Sequence, residues 1–315
     1  MLRLQYAPMR VAILFTDGVG VGVRDASTNP LARADYLLSQ FADGSGAPLP
    51  LGGTRHDVDT TFGVPGRPQS ASNQTAIFTG RPAPRIIGRH VLGYPNVALR
   101  EILSAHSIVR DVLASGRTAT FANSYPVAYL EALGLKHRDG AADGVVIPPR
   151  FVKKLKPSAS TLAMAAADVE LRTLDDARNE RGLTHDIDGS TANRRRLAVP
   201  ARDPKRAAEI FWSLAADFTL FEHYLADEAG HSQDFTAATQ AISTFDAFAR
   251  EVIARRPEDA QVLICSDHGN VEDLSTRSHT LNRVSVLSFG AGALPTMETV
   301  ADVGRAVLEL LGVQR

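Results

Sequence analysis

Residues 261–270 read QVLICSDHGN, and the way this stretch folds frames the whole chain. QVLIC is a short apolar run bounded by polar and turn-forming residues, which predicts a buried strand. Asp267 and His268 then leave the strand, and Gly269-Asn270 turn the chain. A second histidine, His279, follows eleven residues after the first, in RSHT. A carboxylate and two imidazoles at the mouth of a sheet admit two readings. They are ordinary loop residues, or they are metal ligands whose partners lie elsewhere in the chain.

Working outward, the same kind of apolar run recurs. RVAILFT (10–16), TATFANS (118–124), FTLFEHYL (218–225) and VSVLSFG (284–290) all read as strands. Between them lie segments of helical periodicity: 96–116, 204–217, 234–256 and 297–312. Short buried strands alternating with helices predict an α/β fold, with a mainly parallel sheet sandwiched by helices. The pattern weakens from 126 to 203, where RFVKKLK, HDIDGSTAN and NRRR cluster. That segment reads as an inserted cap or an elaborated loop set, leaving 1–125 and 204–315 as the core.

The bulk properties narrow the classes. Apolar residues make up 44% of the 315, charged residues 22%, and the net charge is −1. A soluble globular protein with no bulk attraction to nucleic acid or anionic membrane is expected. The one cysteine, Cys265, excludes a disulfide framework and points to a reducing compartment. Near the N-terminus, Arg3 and Arg10 precede only the five-residue run VAILF, which is too short for a signal core or a membrane span. A cytoplasmic protein is the expectation.

In open α/β sheets, sites form at the carboxyl ends of strands. Acids and histidines that follow strands are Asp17, Asp227 with His231 four residues on, Asp267, His268 and His279. Mixed carboxylate and imidazole donors suit Zn²⁺ or Mn²⁺ better than Ca²⁺. Six such groups exceed what one catalytic metal ordinarily takes, so two divalent ions are expected. Taken singly, an Asp after a strand is more often a turn or cap residue; joint placement on one rim favours the metal reading.

Two metals need something to activate, and PGRPQSASNQTAIFTGRPAP (65–84) offers Ser70. A Ser at a helix start lies beside free backbone N–H groups that favour phosphate. The bland alternative is a plain N-cap. A hydroxyl beside a dication loses its proton readily and becomes a nucleophile. Asn73, one helical turn on, is placed to donate to a phosphoryl oxygen.

With these residues in view, the chain resembles the alkaline phosphatase superfamily of metalloenzymes. It is most similar to the branch of cofactor-independent phosphoglycerate mutase and phosphopentomutase. The likeness covers roughly 10–125 and 204–312. It rests on CSDHGN with the later RSHT, on the D-x-x-G-H element in DEAGH, on Asp17 after the first strand, and on Ser70 ten residues before Gly80. The resemblance implies one ion held by Asp227, His231 and His279. It implies another held by Asp17, Asp267, His268 and the oxygen of Ser70, with a phosphoserine intermediate. The substrate would be a small phosphorylated molecule.

The sequence departs from the mutases in lacking their large insert directly after the nucleophile helix. Asn73 looks instead like the nucleotide pyrophosphatase/phosphodiesterase branch, and SASNQ lacks the sulfatase pattern. A phosphoric ester hydrolase is therefore expected, with a phosphomutase as the alternative. The rival of another class is a non-catalytic metal-binding protein, which an intact Ser70 and full ligand set disfavour. Arg277, Arg194, Arg195 and Arg196 are candidates for holding an anionic substrate, set against the reading of solvated charges; Lys153, Lys154 and Lys156 stand with them. GVGVG (18–22) is a poor dinucleotide fingerprint.

Overall fold

A computed structural model describes residues 9–141 and 143–315; Arg3 lies outside the described residues. The strands are β1 (Arg10–Thr16), β2 (Thr54–Val58), β3 (Ala119–Phe121), β4 (Ser124–Tyr125), β5 (Arg172–Thr173), β6 (Phe218–His223), β7 (Ala260–Cys265) and β8 (Val284–Phe289). Six of them form one sheet in the order β2-β8-β7-β1-β6-β3. β3, β6, β1 and β7 run parallel, while β8 is antiparallel to both β7 and β2.

Alternation along β1 explains why the sheet is buried on both faces. Val11, Ile13 and Phe15 join one core cluster, whereas Ala12 and Leu14 join the other. Successive side chains of a strand point to opposite faces, so an unbroken apolar run needs cover on both. Helices Ser70–Thr79, Val97–His106, Ile108–Ala114, Ala159–Ala165 and Ala301–Leu310 cover the first face. Helices Pro204–Ser213, Leu225–Ser232 and Phe235–Ala254 cover the second. Among the described residues, no helix is long and apolar enough to cross a membrane.

Three details differ from the sequence reading. The periodic stretch 96–116 is two helices, because Ser107 leaves the helical region at φ −54°, ψ 126°. Its hydroxyl accepts from Val109 N and donates to Ala163 O, closing one helix and capping the next. The predicted strand 118–124 keeps only β3 in the large sheet, and Ser124–Tyr125 pairs with β5 instead. β2 was not apparent: Thr-Arg-His-Asp-Val carries a single buried residue, Val58, and is held by antiparallel pairing to β8. Within 126–203, helix Ala159–Ala165 buries Ala159, Ala163 and Met164 in the main core, while Leu174, Ala177, Ala192 and Val199 form a small cluster of their own.

Helix Ala301–Leu310 crosses helix Ser70–Thr79 at close range. A Cβ on Gly304 would stand 2.2 Å from Ile77 O and 3.0 Å from Gly80 N. Both are backbone atoms and cannot rotate away. Gly304→Ala is therefore expected to cost about 1–3 kcal/mol of stability, as overpacked sites do. Urea unfolding checks this: the midpoint falls while the m-value holds. An unchanged midpoint would show that the two helices part without cost.

Candidate metal centre and nucleophile

The carboxyl ends of β1, β6 and β7 meet at one rim. Asp17 follows β1, and its N–H donates to His223 O at the end of β6. Gly18 comes next with φ +74°, and a Cβ there would lie 2.6 Å from Asp227 Oδ1. Only a bare backbone lets the loop after β1 pass the helix after β6 at this distance. That helix, Leu225–Ser232, carries Asp227 and His231 four residues apart, hence on one face. Asp267 and His268 follow β7, and the loop carrying His279 folds back over them.

A buried carboxylate organises that loop. Glu272 is fully buried and accepts from Gly20 N (2.9 Å), Asn270 N (2.7 Å), Asn282 Nδ2 (3.0 Å) and the Thr280 hydroxyl. Four donors offset the cost of burying its charge.

The geometry groups the candidate donors tightly. Single donor atoms of Asp227, His231 and His279 lie within 4.8 Å of one another, and so do those of Asp17, Asp227 and His268. Asp267 Oδ2 joins the second group at 3.5 Å from His268 Nε2, with Asp17 Oδ1 at 3.4 Å. Asp227 thus stands between the two groups. His231 Nδ1 donates to Arg277 O, and His279 Nδ1 donates to Pro68 O, each at 2.8 Å. A neutral imidazole with Nδ1 protonated presents a lone pair at Nε2. The two Nε2 atoms face each other at 3.1 Å. Two lone pairs at that separation repel unless a proton or a metal ion lies between them, beside the Asp227 carboxylate. Metal-binding histidines show this same use of the second nitrogen.

Charge effects agree. Burial, then the Asp267 and Asp227 carboxylates, raises the Asp17 carboxyl well above the usual range. Its Oδ1 is buried and has no hydrogen-bond partner. Burial opposes ionisation of Asp227, but His231, His268 and Asn270 hold it well below the usual range. The hydrogen bond to Asp227 raises His231 to about 8. Burial and His268 lower His279 to about 4, and the two rings stack at 3.7 Å. An excess of carboxylate, an orphaned oxygen and two converging imidazoles fit a divalent ion.

Ser70 opens helix Ser70–Thr79, but the cap position belongs to Gln69, whose side chain makes no cap bond. The Ser70 hydroxyl lies instead 2.9 Å from His268 Nε2. It borders a cleft of about 360 Å³ whose wall includes Asp17, Gln74, Glu222 and Asp227.

Asn73 is a correction. It is fully buried, and its amide N–H groups go to Thr60 O (2.8 Å) and Asp267 O (2.9 Å). No donor is left for a phosphoryl oxygen; the residue ties helix Ser70–Thr79 to the end of β7. Gln74 occupies the position facing the site, donating to Asp17 Oδ2 at 3.1 Å and Asp267 Oδ2 at 3.0 Å. Its spacing of four from Ser70 was the available signal. Asn270, also missed, donates to Asp227 Oδ1 at 2.7 Å.

Of the four arginines, only Arg195 borders the Ser70 cleft, paired with Glu228 at 3.0 Å. Arg194 lines a larger neighbouring cavity of about 490 Å³, which shares Arg195 and Glu228 with the cleft. Arg277 is a second correction: its Nε donates to Gln233 Oε1, and it does not border the cleft. Arg196 is exposed with φ +61° and likewise stands off the cleft. Lys153, Lys154 and Lys156 are exposed.

A family model described as the metalloenzyme superfamily matches residues 201–315. That span holds Asp227, His231, Asp267, His268 and His279. The alkaline phosphatase from the Antarctic bacterium TAB5 covers 98% of this chain and 100% of its own, with a TM-score of 0.53 at 14% identity. The chain shares the fold of this alkaline phosphatase. Phosphopentomutases share sequence with part of this chain. That of Deinococcus radiodurans is 38% identical over 104 residues, 31% of this chain and 27% of its own. That of Helicobacter acinonychis is 31% identical over 100 residues, 30% of this chain and 24% of its own. The chain thus spans about a quarter of the length of the curated relatives it matches.

Asn270→Ala is expected to weaken divalent-ion affinity by about 10- to 100-fold, the usual penalty for removing a group that orients a ligand. Titration with Mn²⁺ or Zn²⁺ followed by calorimetry measures it. An unchanged affinity would show that Asp227 is held by other means.

Proposed function

We propose that this chain is a two-metal phosphoryl-transfer enzyme that uses Ser70 as its nucleophile and acts as a phosphoric ester hydrolase. The observation that carries the reading is the Ser70 hydroxyl, 2.9 Å from His268 Nε2 and beside the Asp17 and Asp267 carboxylates. Bound divalent ions, Mn²⁺ or Zn²⁺ by donor type, supply easier ionisation of a hydroxyl and neutralisation of phosphoryl charge.

The chain's own residues do the rest. Asp227, His231 and His279 form one ligand set; Asp17, Asp267, His268 and Ser70 form the other. Gln74 fixes the Asp17 and Asp267 oxygens relative to the helix that bears Ser70. The Ser70 oxygen forms its bond to phosphorus as the ester oxygen leaves with its electron pair. Water then attacks the phosphoserine, releasing phosphate and restoring the hydroxyl. The inserted segment 126–203 shapes specificity through Tyr129, Ser158 and Arg195, which border the cleft. The substrate is a small phosphorylated molecule and the setting cytoplasmic, in keeping with a single, buried cysteine.

A second reading, a phosphomutase, is favoured by the phosphopentomutase relatives. A mutase must keep its dephosphorylated intermediate away from water. Ser70 is only half-buried, which favours the hydrolase. Turnover of a phosphoester in ¹⁸O-labelled water decides between them. Labelled inorganic phosphate is the expected main product; a rearranged ester with little free phosphate would establish the mutase instead.

A further inference from the structure

Helix Ser70–Thr79 brings two side chains to the cleft one turn apart, Ser70 and Gln74. Gln74 is 5% exposed, and its side-chain amide donates to Asp17 Oδ2 at 3.1 Å and to Asp267 Oδ2 at 3.0 Å. An amide nitrogen carries two N–H bonds, so both are spent. One neutral group thus clamps two acids that arrive from different strands.

The clamp determines which oxygens stay free. Asp17 keeps Oδ1, which lacks a hydrogen-bond partner and lies 3.4 Å from His268 Nε2. Asp267 has Oδ1 taken by His268 N at 3.0 Å, so it offers Oδ2, 3.5 Å from His268 Nε2. A carboxylate oxygen has two lone pairs and can accept from Gln74 while it faces an ion. The Ser70 hydroxyl lies 2.9 Å from the same imidazole nitrogen. The group on the Ser70 side therefore offers single donor atoms: one oxygen from each acid, one ring nitrogen and one hydroxyl. Asp227, between the two groups, has its Oδ1 taken by Asn270.

Donor number separates the two ions that the donor types admit. Zn²⁺ is ordinarily four-coordinate in proteins, whereas Mn²⁺ favours octahedral, oxygen-rich surroundings. A carboxylate free to turn can give both oxygens to one ion and so raise the donor number, as it does for Ca²⁺. Held by Gln74, neither acid turns. We propose that Gln74 decides which ion sits beside Ser70: it confines Asp17 and Asp267 to one oxygen each, and so favours Zn²⁺ over Mn²⁺. Gln74 is then a positioning residue that acts through the two acids. This role rests on the two-metal reading above.

Zn²⁺ outbinds Mn²⁺ at most mixed sites, so the preference alone decides nothing; its dependence on the amide does. The test uses the full chain with His231→Ala and His279→Ala, which leaves the Ser70-side group to be read by itself. Equilibrium dialysis in metal buffers gives the dissociation constants of Zn²⁺ and Mn²⁺, with and without Gln74→Met, which keeps side-chain length and removes both donors. Zn²⁺ affinity should fall by about 10- to 100-fold, as when a group that orients a ligand is lost, and the ratio of Mn²⁺ to Zn²⁺ constants by about tenfold. Parallel losses for both ions would make Gln74 a structural tie only and overturn the proposal. X-ray absorption of the zinc-loaded wild type reads the same point without a substitution. An average of about four nitrogen and oxygen donors per ion is expected, and about five or six overturns the proposal. A wild type that binds neither ion defeats the metal reading itself, which the other outcomes leave standing.

Discussion

A Ser70→Ala protein should fold normally, bind its metals and turn over nothing. The fold survives because Ser70 does not cap its helix; its hydroxyl has its contact at His268 Nε2. Losing one half-buried hydroxyl costs within about 1 kcal/mol. Losing a nucleophile removes the chemistry, by roughly 10⁴-fold or more where such residues have been deleted. Steady-state rates on the best phosphoester measure the first effect, and intact-mass detection of a phosphorylated chain after rapid quench measures the second. Near wild-type turnover, or a phosphorylated alanine variant, would remove Ser70 from the mechanism.

The second large effect concerns the metals. Elemental analysis after reconstitution should approach two equivalents per chain. Because Asp227 stands between both donor groups, replacing it would blur the outcome. The His231→Ala, His279→Ala double variant removes donors of one group only, and should hold about one equivalent. Ions that bind only the folded chain also stabilise it, by about 2.7 kcal/mol at a hundredfold excess over the dissociation constant. Chelation should therefore lower the thermal midpoint of the wild type more than that of the double variant. Saturation of the wild type at one equivalent, unchanged by the double substitution, would defeat the two-metal reading.

The site was legible where chemistry and strand ends coincide. Asp17, Asp267 and His268 leave uniformly apolar strands, and Asp227 with His231 keeps helical spacing, so their types and positions were enough to gather them. Asn73 misled because a helix turns about 100° per residue. Positions three and four beyond Ser70 flank it on opposite sides, and the sequence does not say which side meets the carboxylates. Asn73 turns to two backbone carbonyls, and Gln74 turns to Asp17 and Asp267. Glu272 was invisible because its partners are mostly backbone amides and hydroxyls brought from residues 20 and 280. β2 was missed for a related reason: its polar residues are held by the register with β8, a long-range property. The break at Ser107 depends on Ala163, which comes 56 residues later.

The position of β1 bears on how the chain comes into being. It is an early strand, yet it sits between β6 and β7, paired Val11 to Phe218 and Val11 to Gln261. At roughly 5–20 residues per second, the ribosome needs about 10–40 s to pass from β1 to β6. Throughout that interval a ribbon whose middle, Val11–Phe15, is apolar waits with both edges bare, and so does the aspartate at its tip. No metal can be gripped by both donor groups until β7 and the loop beyond it have emerged.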